Sequence, residues 1–463
     1  MVDFQALNRL TLSGFPCYST GRKGTVGLQM KLPDHVCLAM ERLNGAGYDC
    51  FAVGGCVRDS LRGVAPHDWD LCTGAHPEQI KAVFRDRKTI DIGMAHGTVA
   101  VVFPSGTLEI TTYRIDGGYS DARHPDQVSF TPELREDLAR RDFTVNAMAY
   151  HPDAGLVDPF GGQADLKRGI IRCVGEPERR FGEDALRILR AVRFSSVLGF
   201  RLEGRTAAAA RAMCGELNRI SAERIREELT KLLLGENVRE VLQLYSDVLA
   251  AVIPEIAPCV GFDQQNSHHC HDVWGHTVEC VAHSAPDPVI RWTMLLHDIG
   301  KPETFTVSDS VGHFYGHEKR SAELAQAILK RLKFDTRTAE RVVTLIRSHM
   351  LLTQPTEKAV KRRLNQLGPE VFLQLLDVMR ADTRGLAPEY CGRIGEIDRL
   401  EQIAHRVIAE GQCFSLRDLA VNGNDLIALG LRGKAVGDAL RGLLDDVISG
   451  RCANTREELL NRL

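Results

Sequence analysis

Two aspartates separated by one residue follow closely on a glycine pair, and these residue types at this spacing could act on a phosphate group. Gly54 and Gly55 begin the segment, Arg58 follows them, and Asp68 and Asp70 come ten and twelve residues after the arginine. A Gly-Gly turn lets backbone N–H groups approach phosphate oxygens closely, and the arginine adds positive charge. Carboxylates at i and i+2 of a strand point to the same side. They could therefore hold divalent ions for an in-line displacement at phosphorus.

The surrounding pattern predicts the elements that must position these residues. Short apolar runs and turn-forming residues indicate a small mixed sheet with helices, with helices at 33–45 and 77–84 and strands at 49–53, 98–103 and 107–112. Beyond this region the apolar spacing is helical to the end of the chain, beginning with 183–198, 205–214, 222–234 and 238–247. The predicted fold class is therefore α+β, with a small mixed α/β head followed by an all-helical remainder.

Four charged residues recur every three positions on the first of these helices: Asp184, Arg187, Arg190 and Arg193. Each step of three residues drifts by about 60° on a helix, so the side chains form a spiral strip rather than a straight ridge. Long arginine side chains could still converge on one ligand from such a strip. A solvated basic helix with acidic residues at its N-terminus is the competing interpretation.

Composition limits the class of protein. The chain has 463 residues, which suggests about three domains, and its 44% hydrophobic and 26% charged residues are typical of a soluble globular protein. It has no run of 18 apolar residues and no secretory leader, and its thirteen cysteines form no CxxC pair. These features predict a cytoplasmic protein with reduced thiols and no membrane segment. Because the net charge is −3, RNA binding would depend on local basic clusters. The oligomeric state stays open.

The ordered motifs resemble those of class II CCA-adding tRNA nucleotidyltransferases and bacterial poly(A) polymerases. The resemblance extends from about residue 30 to residue 450 and rests on the segments 54–59, 61–63, 68–71, 109–114, 137–147, 158–162 and 183–187. It implies a nucleotidyltransferase head at 30–165, a nucleotide-selecting and RNA-binding neck at 166–250, a helical body at 251–400 and a helical tail at 401–463. Residues 1–29 lack clear periodicity, and a disordered extension and an upstream mis-start both stay open.

The resemblance also implies a function for each matching residue. Asp68 and Asp70 are the implied catalytic ligands of Mg²⁺. Asp184 and Arg187 are implied to read the Watson–Crick edge of the incoming base, which suits a carboxylate acceptor beside a guanidinium donor. The remaining implied nucleotide-binding residues are Gly54, Gly55, Arg58, Arg141, Asp142, Asn146, Arg190 and Arg193, with Arg141 the best candidate for a phosphate contact.

The predicted activity is template-independent addition of C, C and A to the 3′ end of tRNA from CTP and ATP, with release of pyrophosphate. A glycine-rich segment at 116–125 resembles the mobile loop of family members that add the terminal A, which argues against a CC-only enzyme. A poly(A) polymerase and a CC- or A-adding enzyme of the same family stay as alternatives.

A second constellation lies in the predicted body. His276, the pair His297-Asp298, and Asp382 reproduce the order of an HD phosphohydrolase site, and His317 and His349 are further candidates. Imidazole and carboxylate ligands suit a divalent transition metal. A hydrogen-bonded polar cluster that no longer binds metal is the competing interpretation, and an HD-type metal-dependent phosphohydrolase is the alternative function from a different class.

Overall fold

The computed structural model describes residues 30–93, 96–117, 128–266 and 270–463. Residues 1–29, for which an extension or a mis-start was predicted, and most of the predicted loop at 116–125 lie outside the described residues. Within the described part of the chain, no helix is long and apolar enough to cross a membrane.

The N-terminal region is built on a seven-stranded mixed sheet. Its strands and an adjoining two-stranded ribbon, in chain order, are β1 Cys50–Val53, β2 Asp70–Thr73, β3 Thr89–Gly93, β4 Thr98–Phe103, β5 Gly106–Thr112, β6 Arg114–Asp116, β7 Val128–Phe130, β8 Ala149–His151 and β9 Gly155–Val157. The sheet order is β3-β4-β5-β2-β1-β8-β9, and β6 pairs with β7 in the ribbon. Within the described part of the seven-stranded sheet, β2 and β5 form the one parallel pair. The strand order places β2 between β5 and β1.

Alternation along the central strands explains why both faces of this sheet are covered. Cys50 and Ala52 of β1 belong to one apolar cluster, whereas Phe51 and Val53 belong to another on the opposite face. The helices of this region are α1 Asp34–Gly45, α2 Gly55–Leu61, α3 Pro77–Val83, α4 Leu134–Ala139 and α5 Gly162–Arg168. The glycine pair therefore stands between the buried strand β1 and the helix α2.

The rest of the described chain is almost entirely helical. Two-residue strands β10 Ile170–Ile171 and β11 Arg201–Leu202 and a small hairpin of β12 Thr306–Ser308 and β13 Val311–His313 are the exceptions. The helices are α6 Pro177–Glu183, α7 Leu186–Leu198, α8 Gly204–Ala212, α9 Ala222–Leu233, α10 Val238–Leu244, α11 Ser246–Ala250, α12 Val273–His283, α13 Pro288–Leu296, α14 Lys301–Thr304, α15 His317–Arg331, α16 Thr336–Ser348, α17 Glu357–Leu367, α18 Pro369–Arg384, α19 Ile394–Ala409, α20 Gly423–Ala428, α21 Lys434–Ile448 and α22 Arg456–Leu460. The predicted α+β class is confirmed.

One apolar core runs through most of the helical region. Its buried residues extend from Phe143 to Val407, while a separate cluster between Cys413 and Leu459 stabilises the C-terminal helices. The region predicted as neck and the region predicted as body therefore share a core. The predicted domain boundaries themselves stay predictions.

Two local features differ from the sequence-based expectations. The helix expected at 183–198 is interrupted, since Asp184 and Ala185 separate α6 from α7 and Asp184 has extended backbone angles (φ −141°, ψ 103°). Asp116, the first residue of the segment expected to be a loop, instead ends the strand β6 and pairs with Val128 of β7. In each case hydrogen bonds to sequence-distant or side-chain partners replace the locally favoured structure.

Candidate nucleotidyltransferase site and a second polar cluster

The glycine pair makes room for an arginine of α4's C-terminal end. Gly54 has φ of 84°, a left-handed conformation that favours glycine, and a Cβ atom at that position would lie 3.0 Å from Arg141 Nη1. Asp137 is fully buried and accepts a hydrogen bond from Arg141 Nη2 at 3.3 Å. Among the described residues Arg141 Nε is buried without a hydrogen-bond partner. The guanidinium thus lies beside the turn with Nη1 against Gly54, where its positive charge favours a phosphate.

The two candidate catalytic aspartates occupy different environments. Asp70 is the first residue of β2, and its partner in the parallel register is Glu109 of β5. Asp68 precedes the strand, where its side chain is 84% exposed and lies 3.0 Å from His67 Nδ1. The sequence-based picture of both aspartates on one strand is therefore right only for Asp70, and Glu109 supplies the second strand-borne carboxylate.

Electrostatics at the start of β2 favour a cation. Desolvation by the surrounding protein, together with the negative charges of Glu109 and Asp68, raises the pKa of Asp70, although Arg141 opposes the shift. Asp70 and Glu109 are both exposed where these two strands pair. Carboxylate oxygens are the ligands that Mg²⁺ prefers, and a bound cation would relieve their mutual repulsion. The donor set therefore fits Mg²⁺.

Arg58 does not project into solvent beside the glycines. It is 9% exposed, and its guanidinium donates to both carboxylate oxygens of Asp59 at 2.9 and 2.8 Å and to Asn146 Oδ1 at 2.7 Å. The Asn146 amide in turn donates to Asp142 Oδ1 at 3.1 Å. These contacts hold α2 against the segment that follows α4, so in this conformation Arg58, Asn146 and Asp142 are bonded to one another.

The same network continues into the helical region through the arginines of α7. Arg190 donates from Nε and Nη2 to Asp142 Oδ2 at 2.9 and 2.6 Å, and Arg193 Nε donates to Glu228 of α9 at 2.5 Å. Burial alone would raise the pKa of Asp142, but the Arg190 guanidinium lowers it to about 2. These contacts, together with those of Arg58 and Asn146, thereby join α2, α7 and α9 through charged and amide groups.

The break between α6 and α7 presents the candidate base-reading pair. Asp184 Oδ1 accepts from the Leu186 backbone N–H at 3.0 Å, and its Oδ2 accepts from Arg224 Nη2 of α9 at 2.9 Å. Arg187 donates to Glu183 Oε2 at 2.7 Å and to the Arg140 carbonyl oxygen at 3.0 Å. Asp184 and Arg187 are thus close along the chain, yet each is held by a different partner.

The HD candidates come together inside the helical body. The ligand atoms form two groups, and within each group all of them lie within 4.8 Å of one another. The first group is His276, Cys280, His297 and Asp382, and the second is Asp298, His317 and His349. Asp298 connects the groups, because its Oδ2 lies 3.3 Å from His297 Nε2 and its Oδ1 lies 3.3 Å from His317 Nε2.

The four histidines of this cluster share one hydrogen-bonding arrangement. Each places Nδ1 against a backbone carbonyl oxygen, which can only accept, so Nδ1 carries the hydrogen and Nε2 faces the cluster. The pairs are His276 with Gly385 at 3.0 Å, His297 with Met294 at 2.7 Å, His317 with Phe314 at 2.8 Å and His349 with Ile346 at 2.6 Å. This is the orientation that metal-ligating imidazoles adopt.

Imidazole nitrogens and carboxylate oxygens of the cluster lie so close together that one cation could contact several of them. His317 Nε2 and His349 Nε2 lie 3.3 Å apart, and His297 Nε2 is fully buried without a hydrogen-bond partner among the described residues. Burial alone would lower the pKa of His276, but Cys280 and Asp382 raise it to about 10. Burial and the charge of His297 lower the pKa of His349 to about 4. The imidazole and carboxylate groups therefore fit a divalent metal, whose charge would balance the carboxylates alongside Lys301, whose Nζ lies 2.7 Å from Asp298 Oδ2.

Three family profiles match successive parts of the chain. Residues 50–172 match the "Poly A polymerase head domain", residues 199–259 match the "Probable RNA and SrmB- binding site of polymerase A", and residues 317–463 match domain 2 of tRNA nucleotidyltransferase. The first match contains both aspartates and the glycine pair.

Full-length relatives identify the family. A CCA-adding enzyme of Lactobacillus helveticus is 34% identical over 434 residues, which cover 93% of this chain and 97% of the relative. The chain belongs to the CCA-adding enzyme family. The crystal structure of the Bacillus stearothermophilus CCA-adding enzyme in complex with CTP has a TM-score of 0.72 and 32% identity, covering 94% of this chain and 98% of that one. The Thermotoga maritima CCA-adding enzyme complexed with tRNA-CCA shares the fold, with a TM-score of 0.58 and 20% identity over 92% of this chain and 94% of that one.

For this CCA-adding family member, the structure adds site residues that sequence reasoning missed. Arg224 and Glu228 bond the predicted nucleotide-selecting helix from α9, and no local signal links them to residues about 40 positions upstream. Cys280 lies one helical turn after His276, a spacing that could have drawn attention to it. The assignments of individual nucleotide-binding residues stay predictions.

Proposed function

We propose that this chain completes the 3′ end of tRNA by adding C, C and A from CTP and ATP without a nucleic-acid template, as a cytoplasmic enzyme. The observation that carries the proposal is the pair of exposed carboxylates on neighbouring strands, Asp70 of β2 and Glu109 of β5, together with the glycine turn against which Arg141 lies. Similarity to CCA-adding enzymes along nearly the whole chain supports the same activity.

Different residues of the chain would have different roles in the reaction. Asp68 and Asp70, with Glu109 beside them, would hold Mg²⁺, which when bound neutralises charge at the reacting phosphate and activates the attacking hydroxyl. The turn at Gly54-Gly55 and the charge of Arg141 would bind and orient the triphosphate. Asp184 and Arg187 would accept from and donate to the edge of the base. Basic helix surfaces would hold the tRNA.

The activity is tested by sequencing reaction products. Full-length protein is incubated with tRNA transcripts that lack CCA, or that end in CC, in the presence of CTP, ATP or both. Complete CCA ends should require both nucleotides, CTP alone should give CC, and ATP alone should complete only the CC-ended transcript. Long adenosine tracts on unrelated RNA would identify a poly(A) polymerase instead. Products that stop at CC with both nucleotides present would identify a CC-adding enzyme, and addition only to the CC-ended transcript would identify an A-adding enzyme.

We also propose that the helical body holds a divalent transition metal and hydrolyses phosphate esters. The four histidines with Nδ1 fixed by carbonyl oxygens carry this second proposal, because a merely hydrogen-bonded cluster has no need to turn every Nε2 inward. His276, His297, Asp298 and Asp382 would be ligands, joined by His317 and His349. Elemental analysis of metal-replete protein should find a bound transition metal, and none after His297 and Asp298 are both replaced by alanine.

A further inference from the structure

Cys280 is an unusual member of the buried cluster that otherwise consists of imidazole and carboxylate groups. It follows His276 by four residues on α12, so both side chains project from the same face of the helix. Cys280 is fully buried, and its Sγ lies 3.4 Å from His276 Nε2. A Cβ atom on Gly385 would lie 2.5 Å from this sulfur, so the end of α18 can approach it only with glycine at that position.

The sulfur belongs to one of two adjoining ligand groups. Asp298 faces both groups through its two oxygens, with Oδ2 3.4 Å from His276 Nε2 and Oδ1 3.3 Å from His317 Nε2. Among the described residues, Cys280 provides the only sulfur in either group. One position is therefore surrounded by nitrogen, oxygen and sulfur, whereas the other has nitrogen and oxygen alone.

Separations in the sulfur-containing group lie within or slightly below the range for ligands around one ion. In addition to the 3.4 Å sulfur–nitrogen distance, His276 Nε2 lies 3.0 Å and His297 Nε2 lies 3.6 Å from Asp382 Oδ1. Ligand atoms bonded to tetrahedral zinc at about 2.0–2.3 Å are roughly 3.3–3.8 Å from one another. His297 Nε2, fully buried and without a hydrogen bond, is the independent sign that a ligand belongs at this point.

We infer that Cys280 is a thiolate ligand of one metal position in this cluster and makes that position selective for a thiophilic ion such as Zn²⁺ over Mn²⁺. The inference rests on the proposed metal centre in the helical body and adds a ligand and a metal preference to it. Thiolate ligands favour Zn²⁺ and similar ions, whereas oxygen-rich sites suit Mn²⁺ and Mg²⁺. Metal binding converts the thiol to a thiolate and releases its proton to solvent.

Cobalt substitution tests the ligand directly in the wild-type protein. Full-length protein is stripped of metal, loaded with Co²⁺ and examined by absorption spectroscopy. A sulfur-to-cobalt charge-transfer band in the near ultraviolet is expected, and it should be lost in Cys280→Ser. Cys259→Ser is the matched control, because Cys259 is also buried in this region but its sulfur faces the carbonyl oxygens of Glu255 and Ile299. The wild-type measurement is informative even if a variant fails to fold.

Competition titrations with Zn²⁺ and Mn²⁺ test the preference. Cys280→Ser should weaken Zn²⁺ binding on the order of 10- to 100-fold or more, while the Mn²⁺ affinity changes little. Full metal occupancy without the band, or unchanged Zn²⁺ affinity in Cys280→Ser, would overturn the thiolate assignment and leave the metal centre standing. Wild-type protein that binds no transition metal would overturn both. Protein that shows the band yet hydrolyses no phosphate ester would contradict only the proposed hydrolysis.

Discussion

At the scale of single residues, the two candidate catalytic aspartates differ in how firmly they are placed. Asp70 is held by β2 beside Glu109, whereas Asp68 lies in an exposed bend before the strand. A metal ion would bring Asp68 to a defined position only when it binds. Asp70 is therefore expected to define the site, and Asp68 to complete it.

Replacing either aspartate by alanine should abolish nucleotide addition and leave tRNA binding largely intact. Loss of a metal clamp removes several kcal/mol of transition-state stabilisation, or at least about 100-fold in rate, whereas RNA affinity comes from distributed basic contacts. Single-turnover incorporation and filter binding measure the two effects. The control is Asp91→Ala. It removes an exposed carboxylate of β3 in the same sheet, which forms an ion pair with Lys81 of α3. Asp68→Ala and Asp70→Ala proteins that both react within about tenfold of wild type would refute the assignment.

Asp142 should stabilise the fold in a pH-dependent way. Its folded-state pKa of about 2 lies below its ordinary value of 3.8, so the ionised form is favoured on folding. Stabilisation on the order of 2 kcal/mol is fully present above the unfolded-state pKa and is lost as pH falls through the folded-state pKa. Asp142→Asn should therefore lower the urea midpoint at pH 7, and the gap to wild type should shrink below about pH 4. A gap that stays constant down to about pH 3 would contradict an ionised Asp142 as its source.

At the scale of elements, the break between α6 and α7 positions Asp184 and Arg187, the pair proposed to read the base. It leaves Asp184 in an extended conformation where Arg224 of α9 can bind its carboxylate. Arg187 is held by Glu183 on the preceding helix. Reading a base therefore requires these side chains to exchange protein partners for nucleotide partners. When no nucleotide is bound, the protein partners offset the free-energy cost of desolvating these charges.

The selectivity of the nucleotide site should depend on this pair and not on the arginines farther along α7. A buried polar edge left unmatched costs roughly 1–3 kcal/mol, so Asp184→Ala and Arg187→Ala should lose discrimination against UTP and GTP and also slow CTP use. Arg190→Ala and Arg193→Ala should lower kcat/KM for all four nucleotides about equally. Relative kcat/KM values in each variant provide the measurement. Wild-type selectivity in the Asp184 and Arg187 variants would mean that α7 contributes only electrostatics.

The sequence predicts the elements of the head better than the partners of its charged residues. Local alternation and turn residues predict the same bounds for β4 as the structure shows. The predicted bounds of β1 and α1 differ from the structure by one residue. The pairing of Asp70 with Glu109, or of Asp184 with Arg224, depends on which distant elements become neighbours. Helical periodicity also overlooks the break at Asp184, because the apolar spacing continues across it. Tertiary contacts, not local propensity, decide these features.

At the scale of the whole molecule, one chain carries two sites suited to divalent ions. The first is the exposed pair of carboxylates on β2 and β5 of the head sheet, and the second is a buried cluster rich in histidine. Their ligands differ in hardness, so the first fits Mg²⁺ and the second a transition metal. An apolar core running from Phe143 to Val407 nevertheless links the elements around the second cluster to α7 and α9. This packing is a route by which changes in the buried cluster could affect nucleotide addition.

The two centres should be separable by mutation. Replacing His297 and Asp298 together by alanine should remove the transition metal and any phosphate-ester hydrolysis, while CTP and ATP incorporation continues at near wild-type rates. Asp70→Ala should have the opposite pattern, because its carboxylate lies on the head sheet. Metal analysis, hydrolysis of a generic phosphodiester and tRNA end sequencing are measured on each protein.

Removing buried charged groups can destabilise the body, so thermal unfolding must accompany these measurements. Asp382→Asn is the milder companion variant, since Asp382 keeps a 20% exposed side chain and its replacement preserves size. Variants that keep the wild-type unfolding temperature but lose CCA addition would show that the centres are coupled. Variants that lose metal and hydrolysis alone would show that one chain houses two independent reactions, which the different hardness of the ligand sets leads us to expect.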